Sequence, residues 1–407
     1  MFSLLTSQLR SELQTVQKVL SINEALRDLL ITHHDFLSKL PADLPPEADD
    51  SMKTAHALSR LIPEAPNKLD WQVYDHCAAL TRIYAAYERF VVDLVAEYVL
   101  LLPKLYSKYS DLPPSITRQH RQGIGNILLK IGQKGRYKKL EAQVIVGELA
   151  TGLSGASAYT LLTEAFFIDR QNLRLDTLSR LFGTLGFRHC GKYIGKHSSI
   201  IDFLKKERTE HSSPDKELHD FIEYRNEAAH KKVENLLSRD QIGAIARFIG
   251  ALGIALADMV EEGILQRRME LGHYSVLLTI SETHYNGHVV IGVPGQGVDL
   301  KVDDDIIIFA KNVCRRTVLQ SIQLDGQSVN QVTGDGAIEA GLRLSKKAVK
   351  PGELRRLVVP REGPKEVQLG LQDAIPAITD TADTDVTDAR EQETSPGGEP
   401  DDQPGTQ

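Results

Sequence analysis

The chain has 407 residues, 25% of them charged and 41% hydrophobic, with three cysteines and a formal net charge of −7. That length leaves room for two folded domains. Cys77, Cys190 and Cys314 are spaced against a disulfide framework or a zinc ribbon, and the histidines form no H-E-x-x-H pattern, so neither metal nor cofactor is implied.

Charge is unevenly placed. From Asp373 onward ten acidic residues and one arginine, Arg390, carry −9, which leaves the rest of the chain at about +2. This end is rich in Asp, Thr, Pro and Gly and reads as a disordered acidic tail over 372–407, solubilising or masking a basic surface. No apolar stretch of about 18 residues lacks charges, and Met1–Leu5 leads into polar helix rather than a signal-peptide core. The expected setting is cytoplasmic, with no membrane.

Residues 1–40 read as helix, with Leu4, Leu5, Leu9, Leu13, Val16, Val19 and Leu20 at three- and four-residue steps. Pro41, Pro45 and Pro46 end it. A helix over Met52–Leu61 and a long one over Asp70–Leu102, stopping before Pro103, are expected next. Ser115–Leu140 carries the densest basic run: Arg118, Arg121, Lys130, Lys134, Arg136, Lys138 and Lys139, with Tyr137 among them. Such a run neutralises phosphates, although a solvated face has the same composition. Gly123-Ile-Gly125 lacks the third glycine and preceding strand of a nucleotide loop, and Ser154 reads as a turn residue. Helices are expected at Ala158–Phe167, Leu173–Leu185, Ile200–Glu207, Pro214–Ser238 and Ile242–Arg268.

After Gly272 short β-rich runs follow, such as Val276–Ile280, Val289–Val293 and Asp305–Phe309, punctuated by Asn286-Gly287, Asp325-Gly326 and Pro351-Gly352. The fold class is therefore α+β: an all-α helical bundle over 1–270, a small all-β barrel or sandwich over 273–365, and the tail. His284 and His288 flank the Asn-Gly turn and read as a cross-strand surface pair before a metal site.

Pro214–Ser238 holds the most distinctive chemistry. On a helix, Leu218, Phe221, Ile222, Ala228, Ala229, Val233 and Leu236 share one apolar arc, edged by a polar stripe of His219, Glu223, Asn226 and His230. Arg225 falls inside the apolar arc. A guanidinium there requires a carboxylate, a subunit interface or a phosphate. Glu88 on the long helix is a candidate carboxylate, which would make Arg225 structural.

Arg225-Asn-Glu-Ala-Ala-His230 resembles the R-x4-H signature of the HEPN superfamily. Arg82–Phe90 resembles the second-helix pattern of its RiboL-PSP and related MAE-type branches, and Asn172–Asp176 through Leu185–Phe187 the segment those branches carry before the signature helix. The strand order from Lys301–Phe309 through Ser321–Val329 and Gly341–Leu344 to Gly352–Leu354 is similar to domain II barrels of translation elongation factors.

The resemblance implies metal-independent RNA cleavage, in which a ribose 2′-OH attacks the adjacent phosphorus and leaves a 2′,3′-cyclic phosphate. His230 would transfer the proton, Arg225 would hold the charge that develops on the phosphorane oxygens, and Asn226 would orient the imidazole or the scissile phosphate. Glu88, His219 and Glu223 would support them. Because one signature supplies one histidine, the resemblance also implies a homodimer, in antiphage defence or beside a regulatory protein or antitoxin. The alternative is a HEPN module without cleavage, acting as a scaffold or binding RNA.

Overall fold

The computed structural model describes residues 1–40, 49–61, 63–131, 137, 140–155, 158–167, 172–208, 212–230, 233–311 and 313–358. The helices are α1 (Ser3–Thr32), α2 (His34–Leu37), α3 (Asp50–Ser59), α4 (Lys68–Leu105), α5 (Pro114–Lys130) and α6 (Ala142–Leu153). They continue as α7 (Leu175–Thr184), α8 (Cys190–Lys196), α9 (Ser198–Glu207), α10 (Pro214–His230) and α11 (Arg239–Glu270), with 3-10 turns at Tyr109–Asp111 and Thr163–Phe166.

Apolar periodicity decides the packing. The three- and four-residue steps of α1 bury Leu5, Leu9, Leu13, Val16 and Leu20 against α4 and α11. Helix α4 is the centre of the bundle, with Tyr87, Val91, Leu94, Val95, Val99 and Leu102 all without solvent contact. Each such side chain contributes about 1.5–3 kcal/mol. Helix α11 is long and apolar enough to cross a membrane by composition, yet 72% of its most apolar window is buried in the bundle. Its glycines bring neighbours close: a Cβ at Gly253 would meet Leu9, and one at Gly263 would meet Phe187.

Several expectations change. Helix α4 runs through Pro103 into its last turn and ends at Leu105. The expected helix over Ala158–Phe167 is largely extended, with one 3-10 turn. There the Leu162 N–H leaves the local ladder to donate to His120 Nε2 at 3.0 Å. Helix α10 stops at His230, not Ser238, so Val233 and Leu236 do not join its apolar face. Ser238 instead opens α11 through a capping box with Gln241.

The strands are β1 (Tyr274–Thr279), β2 (Glu282–His284), β3 (Val289–Gly292), β4 (Asp299–Lys301) and β5 (Asp305–Ala310). The rest are β6 (Val313–Leu324), β7 (Gln327–Val329), β8 (Gln331–Thr333), β9 (Ala340–Leu344) and β10 (Gly352–Leu357). An antiparallel sheet runs β1-β10-β5-β6-β9-β3-β2, with β7 on β6 and a separate β4-β8 pair. Long β6 makes the curl, pairing with β5 in its first half and with β9 from Leu319 onward, across a register shift between Leu319 and Ser321. A bridge from Leu278 to Pro294 then joins the β1 edge to the chain leaving β3, around Val290, Ile306, Ile308, Leu319 and Leu342. His284 and His288 separate: the first pairs with Glu282 and the second contacts the Leu344 carbonyl.

Helices and strands share one compact unit, Met1–Val359. Leu265 and Met269 of α11 pack on Ile307 and Cys314. Polar links flank this contact: Arg316 with Glu261 at 2.9 Å, Arg315 with Glu262 at 3.5 Å, and Asp258 bridging His197 at 3.2 Å and Lys346 at 2.9 Å. Burial raises the Asp258 carboxyl, but the His197 and Lys346 contacts outweigh it and bring the group below its ordinary value. A depressed carboxyl stabilises the fold above its unfolded pKa, near 4, and that contribution is lost as pH falls through the folded value. Asp258→Asn should therefore destabilise the protein at neutral pH. Denaturant midpoints should show the gap to wild type narrowing as pH falls below about 4.

Gly123 of α5 faces the Ala165 backbone so closely that a Cβ would overlap its carbonyl. Gly123→Ala should cost about 1–3 kcal/mol, seen as a lower Tm.

Candidate functional site

The candidate site lies on the exposed flank of α10, where it meets α4 and the approach to α7. The Ser213 hydroxyl accepts the Lys216 N–H at the helix start, and Glu217 in the first turn holds Arg208 at 2.7 Å. Leu218, Phe221 and Ile222 are the buried face. They fix the rotation of the helix, and with it the direction of every polar residue that follows.

Arg225 is half-buried and does not take Glu88 as its partner. Its guanidinium lies 4.4 Å from the centre of the Tyr84 ring, and Nη1 donates to the Asn226 carboxamide oxygen at 3.3 Å. A cation over an aromatic face is worth about 0.5–2 kcal/mol, without neutralising the charge. The enclosed Nε has no acceptor among the described residues. Leaving such a donor unmade costs about 1–3 kcal/mol. Arg225 is therefore a positioned cation with unused hydrogen-bonding capacity.

Tyr84 organises more than Arg225. Its hydroxyl accepts the Leu173 N–H at 3.4 Å, while the Tyr87 hydroxyl donates to the Leu173 carbonyl at 2.9 Å. One residue of the segment before α7 is thus held by α4 through both of its backbone polar groups. The next residue, Arg174, donates to His219 Nδ1 at 3.3 Å and pairs with Glu223. Of the polar stripe, His219 and Glu223 consequently hold Arg174 and stand apart from Arg225 and Asn226. His230 is the last residue of α10, and its side chain lies outside the described residues.

The basic run divides in the same way. Arg118, Arg121 and Lys130 are exposed on α5, whereas Lys134, Arg136, Lys138 and Lys139 lie outside the described residues. Tyr137 does not serve this face as a stacking aromatic, because it is only 9% exposed and belongs to the helical core. Another histidine is excluded from proton transfer by its surroundings. Burial lowers His120 to about 4, and its two ring nitrogens contact the Tyr109 hydroxyl at 3.1 Å and the Leu162 N–H.

Arg174 and the clamping role of Tyr84 went unrecognised among the site residues expected from the sequence. Tyr84 reads there as one more apolar position of α4. Arg174 lay inside the Asn172–Asp176 segment, where only its three-dimensional meeting with Glu223 distinguishes it.

A helical bundle with Arg-Asn-x-x-x-His on a late helix, seated on a tyrosine of its longest helix, defines a HEPN-superfamily domain. The family model for RiboL-PSP-HEPN matches residues 50–262, more than half of the chain, and the chain belongs to that family. HEPN domains are commonly endoribonucleases, and membership ties this chain to RNA-related function. No match was found among curated proteins or solved structures.

A double-mutant cycle tests the Tyr84–Arg225 contact. Tyr84→Leu and Arg225→Met, singly and together, should give a coupling energy of about 0.5–2 kcal/mol by chemical denaturation.

Proposed function

We propose that the protein is a metal-independent endoribonuclease of the HEPN type, with Arg225, Asn226 and His230 as its catalytic residues. One observation carries this reading. Arg225 is held in place by an aromatic ring and a side-chain amide, and by no carboxylate among the described residues, so its charge is available to a phosphate. A purely structural arginine at a helix seam gains most from a carboxylate. The planar guanidinium suits the equatorial oxygens of a phosphorane, and Asn226 beside it offers a further donor from its amide nitrogen.

The reaction needs a base to take the 2′-OH proton and an acid to protonate the departing 5′-oxygen. A histidine performs either task near neutral pH. The Arg-Asn-x-x-x-His motif supplies one such residue, since His219 on the same helix is engaged by Arg174, and a homodimer that faces two α10 helices toward each other supplies both. The exposed Arg118, Arg121 and Lys130 of α5 add electrostatic attraction for an RNA strand. The biological setting would be one in which cleavage is released on demand, antiphage defence or a toxin–antitoxin pair.

The test is cleavage of RNA by purified wild type in EDTA beside Arg225→Ala and His230→Ala, with the product ends analysed. The expected result is 2′,3′-cyclic phosphate and 5′-OH ends from wild type. Each variant should fall at least 100-fold in rate, in line with loss of an acid–base or oxyanion-stabilising group, while keeping its circular dichroism spectrum. Folded wild-type protein that binds RNA without cutting it would make the domain a binding module.

A further inference from the structure

One turn beyond Tyr84 on α4, a cleft of about 530 Å³ opens between α4, α5, α7 and the Thr163–Phe166 turn. Its floor is apolar, formed by Val91, Val92 and the two phenylalanines Phe166 and Phe167. Its walls are polar and come from two helical stripes. Gln119, Gln122 and Asn126, at steps of three and four, place carboxamides along α5. Thr177, Arg180 and Thr184 place hydroxyls and a guanidinium along α7.

We infer that this cleft binds a nucleobase of the RNA strand next to the scissile phosphate and is the protein's base-selecting subsite. The inference rests on the ribonuclease reading for its substrate, but not for its geometry. Flat, polar-edged rings on an apolar floor are what single-stranded RNA offers to proteins, with edges read by amide and charged side chains. Carboxamides both donate and accept, so the α5 stripe matches the mixed edge of a base and matches a phosphate poorly. The location fits as well. Glu88 lines the cleft and follows Tyr84 by four residues, a rise of about 6 Å along the helix. Leu173, whose N–H and carbonyl the two tyrosines hold, lines it too.

The walls are preformed. Gly123 lets α5 touch the Ala165 backbone, and Gln119 donates to the Ala165 carbonyl at 3.1 Å. Gln122 and Asn126 are exposed and make no such contact among the described residues, which leaves their amides to a ligand. Arg180 is exposed at the rim, near Asp176 and Thr177.

Binding can be read without cleavage. Full-length Arg225→Ala protein is titrated by calorimetry with the four nucleoside 3′-monophosphates, and with ribose 5-phosphate as the probe without a base. At least one nucleotide should bind tenfold or more tightly than ribose 5-phosphate, and Gln122→Leu/Asn126→Leu should abolish the difference. Thr177→Val, on the opposite wall, is the independent second variant, and thermal melts confirm that each is folded. In the wild-type background, Gln122→Leu should flatten the base preference at cleavage sites mapped on a random-sequence RNA.

Equal binding of all four nucleotides and ribose 5-phosphate overturns the inference, as does unchanged binding in both wall variants. Nucleotide binding with an unaltered cleavage pattern would assign the cleft to free nucleotides and overturn it also. If nucleotide discrimination is present and wall-dependent while wild type cuts no RNA, the cleft stands and the catalytic reading falls. If cleavage proceeds with no wall dependence, the cleft alone falls.

Discussion

The side of Tyr84 that faces α10 and the hydroxyl that faces Leu173 make one residue responsible for two alignments. The ring positions the Arg225 guanidinium, and the hydroxyl fixes the chain entering α7. Both depend on α4 being buried enough to be immobile: Ile83, Tyr87 and Val91 around Tyr84 have no solvent exposure. A charge held by an aromatic face keeps its position and remains un-neutralised, which an ion pair does not allow. The site is thus prepared by the core of the bundle, not by its surface.

Much of this was legible in the sequence, because periodicity and spacing are local properties. The long helices, the shift to strands after Gly272, and the placement of Arg225, Asn226 and His230 on one helix all follow from residue order. What was not legible depends on contacts between distant segments. Glu88 looked like the partner of Arg225 because charge complementarity is visible in a sequence, while a tyrosine's orientation is not. His219 and Glu223 read as a stripe continuous with His230. In the fold both contact Arg174, which arrives from 45 and 49 residues away. The end of α10 was misjudged because nothing between His230 and Ser238 is a helix breaker, and the capping box of α11 sets the boundary from the other side.

Helix α5 carries two kinds of polarity along one stripe, with Gln122 and Asn126 following Arg118 at four-residue steps that end at Lys130. Arg118, Arg121 and Lys130 provide charge that acts over several ångströms and attracts any polyanion. Gln122 and Asn126 provide hydrogen bonds that act only at contact and distinguish one ring edge from another. Attraction and discrimination can then be altered independently by substitution, since the residues responsible do not overlap.

The packing of α1 against α11 has a consequence for the nascent chain. Leu9 fills the space left by Gly253, so the first helix has its seat only after some 240 further residues have been made. At translation rates of about 5–20 residues per second, that is a wait of roughly 12–50 s. Helix α10 emerges before α11, but the bundle that holds it cannot close until α11 has left the ribosome. A partially synthesised chain therefore presents the motif on an α4 that α11 does not yet cover, and the complete bundle belongs only to chains that have passed Glu270.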